Sequence, residues 1–342
     1  MDSVSRVSCL QKSGKAKVHS IETFSKLWAK KYVQKVVESE NSWKGNSKVL
    51  EAITAQRLLD SLRSTSIQAW SKTETLLSQE VRRQGINYRL IDPWEITKDA
   101  YCIYEKVLLA YGDRVIPQRL AVFISSDLGR IRQKYTKIDP RVLGFVSMQF
   151  HYSGQLLLKL LPVSDQATVG TYFKVIDDHL YIPLQRLYEA AAKYDRNSSV
   201  LQILAKLLPI NSEIATKIVF RTIELNPNYR CHSGTLSEST IKNSSLRDVE
   251  MFQIYLWLCV LEQSIAPIQQ ELFPLCVMIY PTLKVRWELV RQMIHLIGLE
   301  LRERLEAQQV ALFMPYFQAL WQMFSPDVFP DILDVQELGH SA

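Results

Sequence analysis

Two aspartates and a histidine stand side by side in "YFKVIDDHLYIPLQRLYEAAAKYD", residues 172–195, among otherwise apolar neighbours. Carboxylate and imidazole are the side chains that pass protons near neutral pH, ligate metals and orient one another. On a helix, however, adjacent residues do not converge on one ion: Asp177 and Asp178 diverge, while His179 falls above Val175 and Ile176 on the apolar side. A second histidine, His151 in "QFHYSGQ", also sits within an apolar helical stretch. If the two helices pack together, His151, Asp178 and His179 form a small polar cluster. Such a cluster is either a hydrogen-bonded network inside a core, the commoner arrangement, or the nucleus of a catalytic or tetrapyrrole-binding site. His295 in "QMIHLIGLE" reads in the same way. No metal and no cofactor are expected. The Glu-x-x-His spacing that di-iron bundles place in pairs within helix bodies occurs here only as Glu337 to His340, in the polar tail.

The motifs that are missing narrow the chemistry further. The chain holds no GxxxxGK[ST], GxGxxG, GxSxG or HExxH and no EF-hand loop, so neither a phosphate-cradling turn nor a nucleophile elbow is on offer. A non-enzymatic protein is expected. Five cysteines (Cys9, Cys102, Cys231, Cys259, Cys276) are odd in number, widely spaced and without CxxC, which fits reduced thiols in a cytoplasmic protein.

The elements that must position these residues are helices. Of 342 residues, 47% are apolar and 22% charged, enough to bury a large core, and 11 glycines are too few for the turn-rich alternation of a sheet protein. "DPWEITKDAYCIYEKVLLAYG" has Asp92 as N-cap, Pro93 at the first helical position and Gly112 as its stop. "DPRVLGFVSMQFHYSGQLLLKLLP" repeats the device with Asp139, Pro140 and Pro162. Periodicity predicts further helices over about 22–38, 47–83, 116–135, 165–181, 184–194, 198–207, 212–224, 246–263, 266–279, 283–305 and 308–324. The last stretches end at Pro274, Pro281 and Pro315, as short helices packed at angles do. The expectation is an all-α fold, an irregular multi-helix bundle or solenoid-like array. It comprises a more polar, basic region over 1–92, a central helical domain over 93–225, a Ser/Asn-rich loop over 226–248 leading to a helix capped by Ser245, an apolar C-terminal region over 249–330 packed on the central one, and a tail over 331–342.

Charge and aromatic content suggest partners. Residues 1–36 carry eight Lys and Arg against Asp2 and Glu22, an excess equal to the formal net charge of +6 for the whole chain. Lys12, Lys15 and Lys17, together with Arg130, Arg132, Lys134, Lys137 and Arg141 around Tyr135, could contact nucleic acid, although charge runs also serve as solvated faces. Apolar and aromatic side chains crowd the C-terminal third, where Trp257, Arg286, Trp287, Arg291 and Trp321 have the composition of interface anchors, for a protein partner or a second copy of the chain. The longest apolar run, "MFQIYLWLCVL" over 251–261, is closed by Glu262 and is too short to span a bilayer.

"FVSMQFHYSGQLLL", "FKVIDDHLYIPLQRLYEAAA" and "RDVEMFQIYLWLCVLEQSIAPIQQELFPLCVMIYP" resemble segments of a helical protein family of cyanobacteria, over roughly residues 100–330. The resemblance implies a cytoplasmic protein of a photosynthetic bacterium with a regulatory or photosynthesis-linked role, and brings no activity, cofactor or catalytic residue with it. The function expected first is a regulatory or adaptor protein that grips a protein partner through its C-terminal helices. A nucleic-acid-binding transcriptional regulator, in cyanobacterial differentiation or photosynthesis control, stands second. An enzyme or pigment binder built on the histidines stands third.

Overall fold

The computed structural model describes residues 48–195, 197–232 and 234–330. Lys12, Lys15 and Lys17, the helix expected over 22–38, and the tail with Glu337 and His340 lie outside the described residues. Within them the chain is all-α. Its helices are α1 (Lys48–Arg83), α2 (Pro93–Gly112), α3 (Pro117–Thr136), α4 (Leu143–Lys159), α5 (Val163–Tyr181), α6 (Leu184–Ala191), α7 (Ser199–Leu225), α8 (Ser239–Glu262), α9 (Phe273–Ile279), α10 (Trp287–Arg304) and α11 (Ala307–Met323). Two short strands, β1 (Arg230–Cys231) and β2 (Gly234–Thr235), pair antiparallel between α7 and α8.

Local chemistry accounts for several boundaries. The Asp92 carboxylate accepts from the backbone N–H of Trp94 at 2.9 Å and of Glu95 at 3.2 Å, and Pro93 opens α2 where an N–H would be orphaned anyway. Asp139 accepts from Arg141 N–H at 3.0 Å, but caps a single 3₁₀ turn, Pro140–Val142, so α4 proper begins at Leu143. Glu306 and Gln309 cap the start of α11 reciprocally.

Three boundaries differ from expectation, each because packing overrides a local signal. The helices expected over 198–207 and 212–224 are one, α7, which continues through Pro209. An interior proline costs about 3 kcal/mol in helix terms. Here Ile203, Leu204, Leu207 and Leu208 before it, and Ile214, Ala215 and Ile218 after it, are buried on one line, and α7 lies along α8. Pro315 likewise lies inside α11, between buried Phe313 and Phe317, and stops nothing. Finally, α8 starts at Ser239, not after Ser245, because Ile241 and Leu246 already find apolar contacts; its N-cap is Glu238.

One continuous apolar core draws side chains from all eleven helices. α1 lies against α2 and α4, α5 against α3 and α4, and α8 is enclosed by α6, α7, α10 and α11. Every residue of α8 from Val249 to Leu261 is buried, so the apolar run in the sequence is the centre of the molecule. Helices α10 and α11 cross closely at Gly298, where a β-carbon would stand 2.4 Å from the Phe317 ring.

Candidate functional site

Between α4, α5, α8, α9 and α10 the helices leave a cavity of about 150 Å³, covered by the segment that carries β1 and β2. Its walls are mostly apolar: Met148, Leu236, Met251, Phe252 and Leu289 contribute, with Tyr181, Tyr229 and Tyr280 as flat polar-tipped faces. The polar groups are concentrated at the first turns of α8's buried run. Arg247 pairs with Asp248 at 3.2 Å and lies over the Tyr181 ring at 3.9 Å, and Tyr280 donates its hydroxyl to Asp248 at 3.1 Å. The Nε of Arg247 is buried and has no hydrogen-bond partner among the described residues.

Electrostatics at the cavity centre on that guanidinium. Burial works against its charge, but Tyr181, Asp248 and Asp177 outweigh it and hold Arg247 above the ordinary guanidinium range. His151, which also lines the cavity, is pushed down to about 3 by burial and by the nearby Arg247 charge, so it is a neutral imidazole at pH 7. Asp177 is pushed up to about 6 by burial, Arg247 opposing. Burial also raises the Cys276 thiol well above its usual range, leaving it protonated.

The residues singled out in the sequence are dispersed by the fold. His151 faces this cavity, whereas His179 borders a separate groove and places its Nδ1 2.8 Å from the Val175 carbonyl. Asp178 is held by Lys174 at 2.7 Å, and Lys174 also reaches buried Glu250 at 3.7 Å. His151 thus lines one depression and His179 another, and Asp178 lines neither. Trp257 is 0% exposed and belongs to the core. Arg291 is buried and donates to the carbonyls of Phe324 and Phe329, tying down the chain after α11. Trp287 stacks on Phe329 at 4.0 Å, Arg286 lies over the Tyr229 ring at 4.9 Å, and Trp321 packs edge-on to His295 at 6.2 Å. Trp257 and Arg291 are therefore spent inside the fold, whereas Trp287 and Trp321 are half-buried and Arg286 is exposed.

Most of the basic stretch is engaged within the fold or in ion pairs at its surface. Arg132 is 5% exposed and donates to the Leu180 carbonyl, to the Tyr255 hydroxyl at 2.7 Å and to Glu271 at 2.9 Å. Lys134 is held by Glu95 at 2.8 Å and Asp99 at 2.9 Å, Arg141 by Asp139 at 2.7 Å, and Arg130 by Asp127. Lys137 alone of the five forms no ion pair among the described residues. Helix spacing placed these cations on several faces, so they do not make a phosphate-gripping row.

Sequence reasoning passed over Arg247, Asp248, Tyr181 and Tyr229. One signal was present: an Arg-Asp pair immediately before thirteen residues that bury at every position has to enter the core partly desolvated.

Against known proteins the chain shows one similarity. The family model described as Phycobilisome protein matches residues 171–323, from within α5 to the end of α11 and under half of the chain. No curated protein and no solved structure matches. The similarity agrees with the all-helical cyanobacterial resemblance in its coarse form, and it corrects the functional expectation. It points to light harvesting and pigment binding, which overturns the regulatory adaptor and the nucleic-acid-binding regulator. The match is to a family of structural light-harvesting components, not of enzymes. No described helix is long and apolar enough to cross a membrane.

Proposed function

We propose that this protein is a light-harvesting component that joins a phycobilisome-type assembly and holds a tetrapyrrole pigment at the Arg247–Asp248 cavity. The observation that carries the reading is that the family match spans this cavity's polar pair, with one guanidinium nitrogen sealed in without a partner among the described residues. A tetrapyrrole presents propionate carboxylates, ring N–H groups and a flat conjugated body. Arg247 suits the first, the Asp248 carboxylate the second, and Tyr181, Tyr229, Tyr280 and Phe252 the third. The closed cavity has room for about one ring, on the scale of an engineered 150 Å³ cavity that takes benzene. A four-ring body enters by displacement of the covering segment. That segment is suited to moving, because Tyr229, Leu236 and Ile241 pack with Leu289 in a small cluster separate from the main core. When bound, the pigment supplies the absorption; the protein's residues hold and orient it.

The test is titration of the purified full-length chain with biliverdin, a linear tetrapyrrole, followed by visible absorption and circular dichroism. A saturable induced dichroic band that Arg247→Gln weakens about tenfold supports the reading, in line with loss of one charge-assisted hydrogen bond. Absence of any induced band in the wild-type chain, or unchanged affinity in the variant, rejects it.

A further inference from the structure

Neither the DDH triplet nor the basic stretch lines the cavity above, yet His179 of the one and Arg130 and Arg132 of the other line a second depression. A groove of about 510 Å³ runs between α3 and α6, bordered by His179, with Glu262 and Glu271 at its floor. Its volume lies in the range of small-molecule sites, roughly 300–1,000 Å³. The floor is built and rigid. Arg132 is clamped by Leu180, Tyr255 and Glu271, and Arg186 reaches both oxygens of Glu262 at 2.6 Å while also pairing with Glu271. Glu271 sits in a single π-helical turn, Ile268–Leu272, a local widening that presents its carboxylate to both arginines. Within this clamp the Nε of Arg132 makes no hydrogen bond among the described residues.

The sides differ from the floor. Ser126 and Gln133 on α3 and Gln185 on α6 offer neutral hydroxyl and amide groups, and exposed Glu189 of α6, which accepts from the Gln185 amide at 3.2 Å, adds one carboxylate that a polyol hydroxyl can donate to. The rim carries two cations on opposite walls: Arg130, 74% exposed, whose partner Asp127 does not line the groove, and exposed Lys193, which forms no ion pair among the described residues. Gly129 lets the two helices close beneath them, since a β-carbon there would stand 2.9 Å from Gln185.

A neutralised floor, sides of hydroxyl, amide and one carboxylate group, and two exposed cations at the mouth complement one kind of molecule. We propose that this groove binds a small phosphorylated polyol, its hydroxyls against Ser126, Gln133 and Gln185 and its phosphate between Arg130 and Lys193. Hydroxyls replace water on the amides without cost in charge, and a phosphate gains charge-assisted bonds from both rims.

The experiment is calorimetry on the full-length chain with glucose 6-phosphate, ribose 5-phosphate and glycerol 3-phosphate, alongside inorganic phosphate and glucose. One or more of the sugar phosphates is expected to bind at a single site at least tenfold more tightly than phosphate or glucose alone. The exposed pair Arg130→Glu with Lys193→Glu is expected to weaken that binding by at least tenfold while leaving the thermal midpoint unchanged. No heat from any of the three esters, phosphate binding as tightly as the best ester, or undiminished binding in the charge-reversed variant would each overturn the proposal.

Discussion

Replacing Asp177 with asparagine tests the electrostatics of the cavity directly. Asp177 lies on α5 where the Arg247 charge of α8, Lys174 and Asp178 of its own helix, and the Tyr104 and Tyr181 hydroxyls act on it. Its carboxyl is raised from 3.8 to about 6, with burial the main cause. A raised carboxyl favours the folded state while protonated: that contribution is complete below pH 3.8 and is lost as pH climbs through about 6. A rise of about 2 in pKa corresponds to about 3 kcal/mol, and allowing for partial exposure about 2 kcal/mol remains. Asparagine carries no titration, so Asp177→Asn should gain about 2 kcal/mol on the wild type between pH 3 and pH 7.5. Urea unfolding followed by far-ultraviolet circular dichroism at several pH values measures both chains. His151 titrates in each and cancels in the difference. A stability difference that stays constant across that range would refute the account of Asp177 as a buried, strained charge.

Two further substitutions probe the packing. Gly298→Ala drives a methyl group into the Phe317 ring at 2.4 Å, and an overpacking cost of about 1–3 kcal/mol should appear as a lower urea midpoint; an unchanged midpoint would mean the α10–α11 crossing relaxes freely. Arg132→Met leaves Glu271 with Arg186 as its remaining cation and strips a donor from Leu180 and Tyr255, so a loss of about 3–5 kcal/mol is expected in the same assay, and restoration by Arg132→Lys should be incomplete.

Much of the helical frame could be read from local chemistry, and the exceptions share a cause. Asp92, Pro93 and Gly112 bound α2 because capping and backbone freedom act within a few residues. Pro209 and Pro315 failed as stops because the apolar face continues on both sides of each ring, and burial along α7 and α11 outweighs one missing N–H. The early start of α8 at Ser239 went unseen because Asn and Ser suit turns, whereas Ile241 and Leu246 gain contacts only once α8 is placed. The candidate sites were harder still. Spacing along a helix set His179 on an apolar side, but which loop covers His151, and whether Asp177 or Asp178 feels Arg247, depend on how α5 and α8 meet. Composition could not distinguish Trp257 as core from Trp257 as anchor, since a fully sealed indole and an interface indole have the same neighbours in sequence.

The family match opens inside α5, and α5 is the helix on which α3 and α4 rest. Tyr104 of α2 reaches across to the Phe150 carbonyl and meets the Phe173 ring edge-on at 5.0 Å, and Tyr111 meets Tyr172 at 5.2 Å. Arg132 of α3 closes the carbonyl of Leu180. The stretch shared with the family is thus not self-sufficient in this chain: its opening helix would emerge oily along one flank, with orphaned backbone oxygen, were the preceding helices not already waiting. The first four helices behave as a covalently attached escort, and a molecule that keeps the matched stretch has to keep them too.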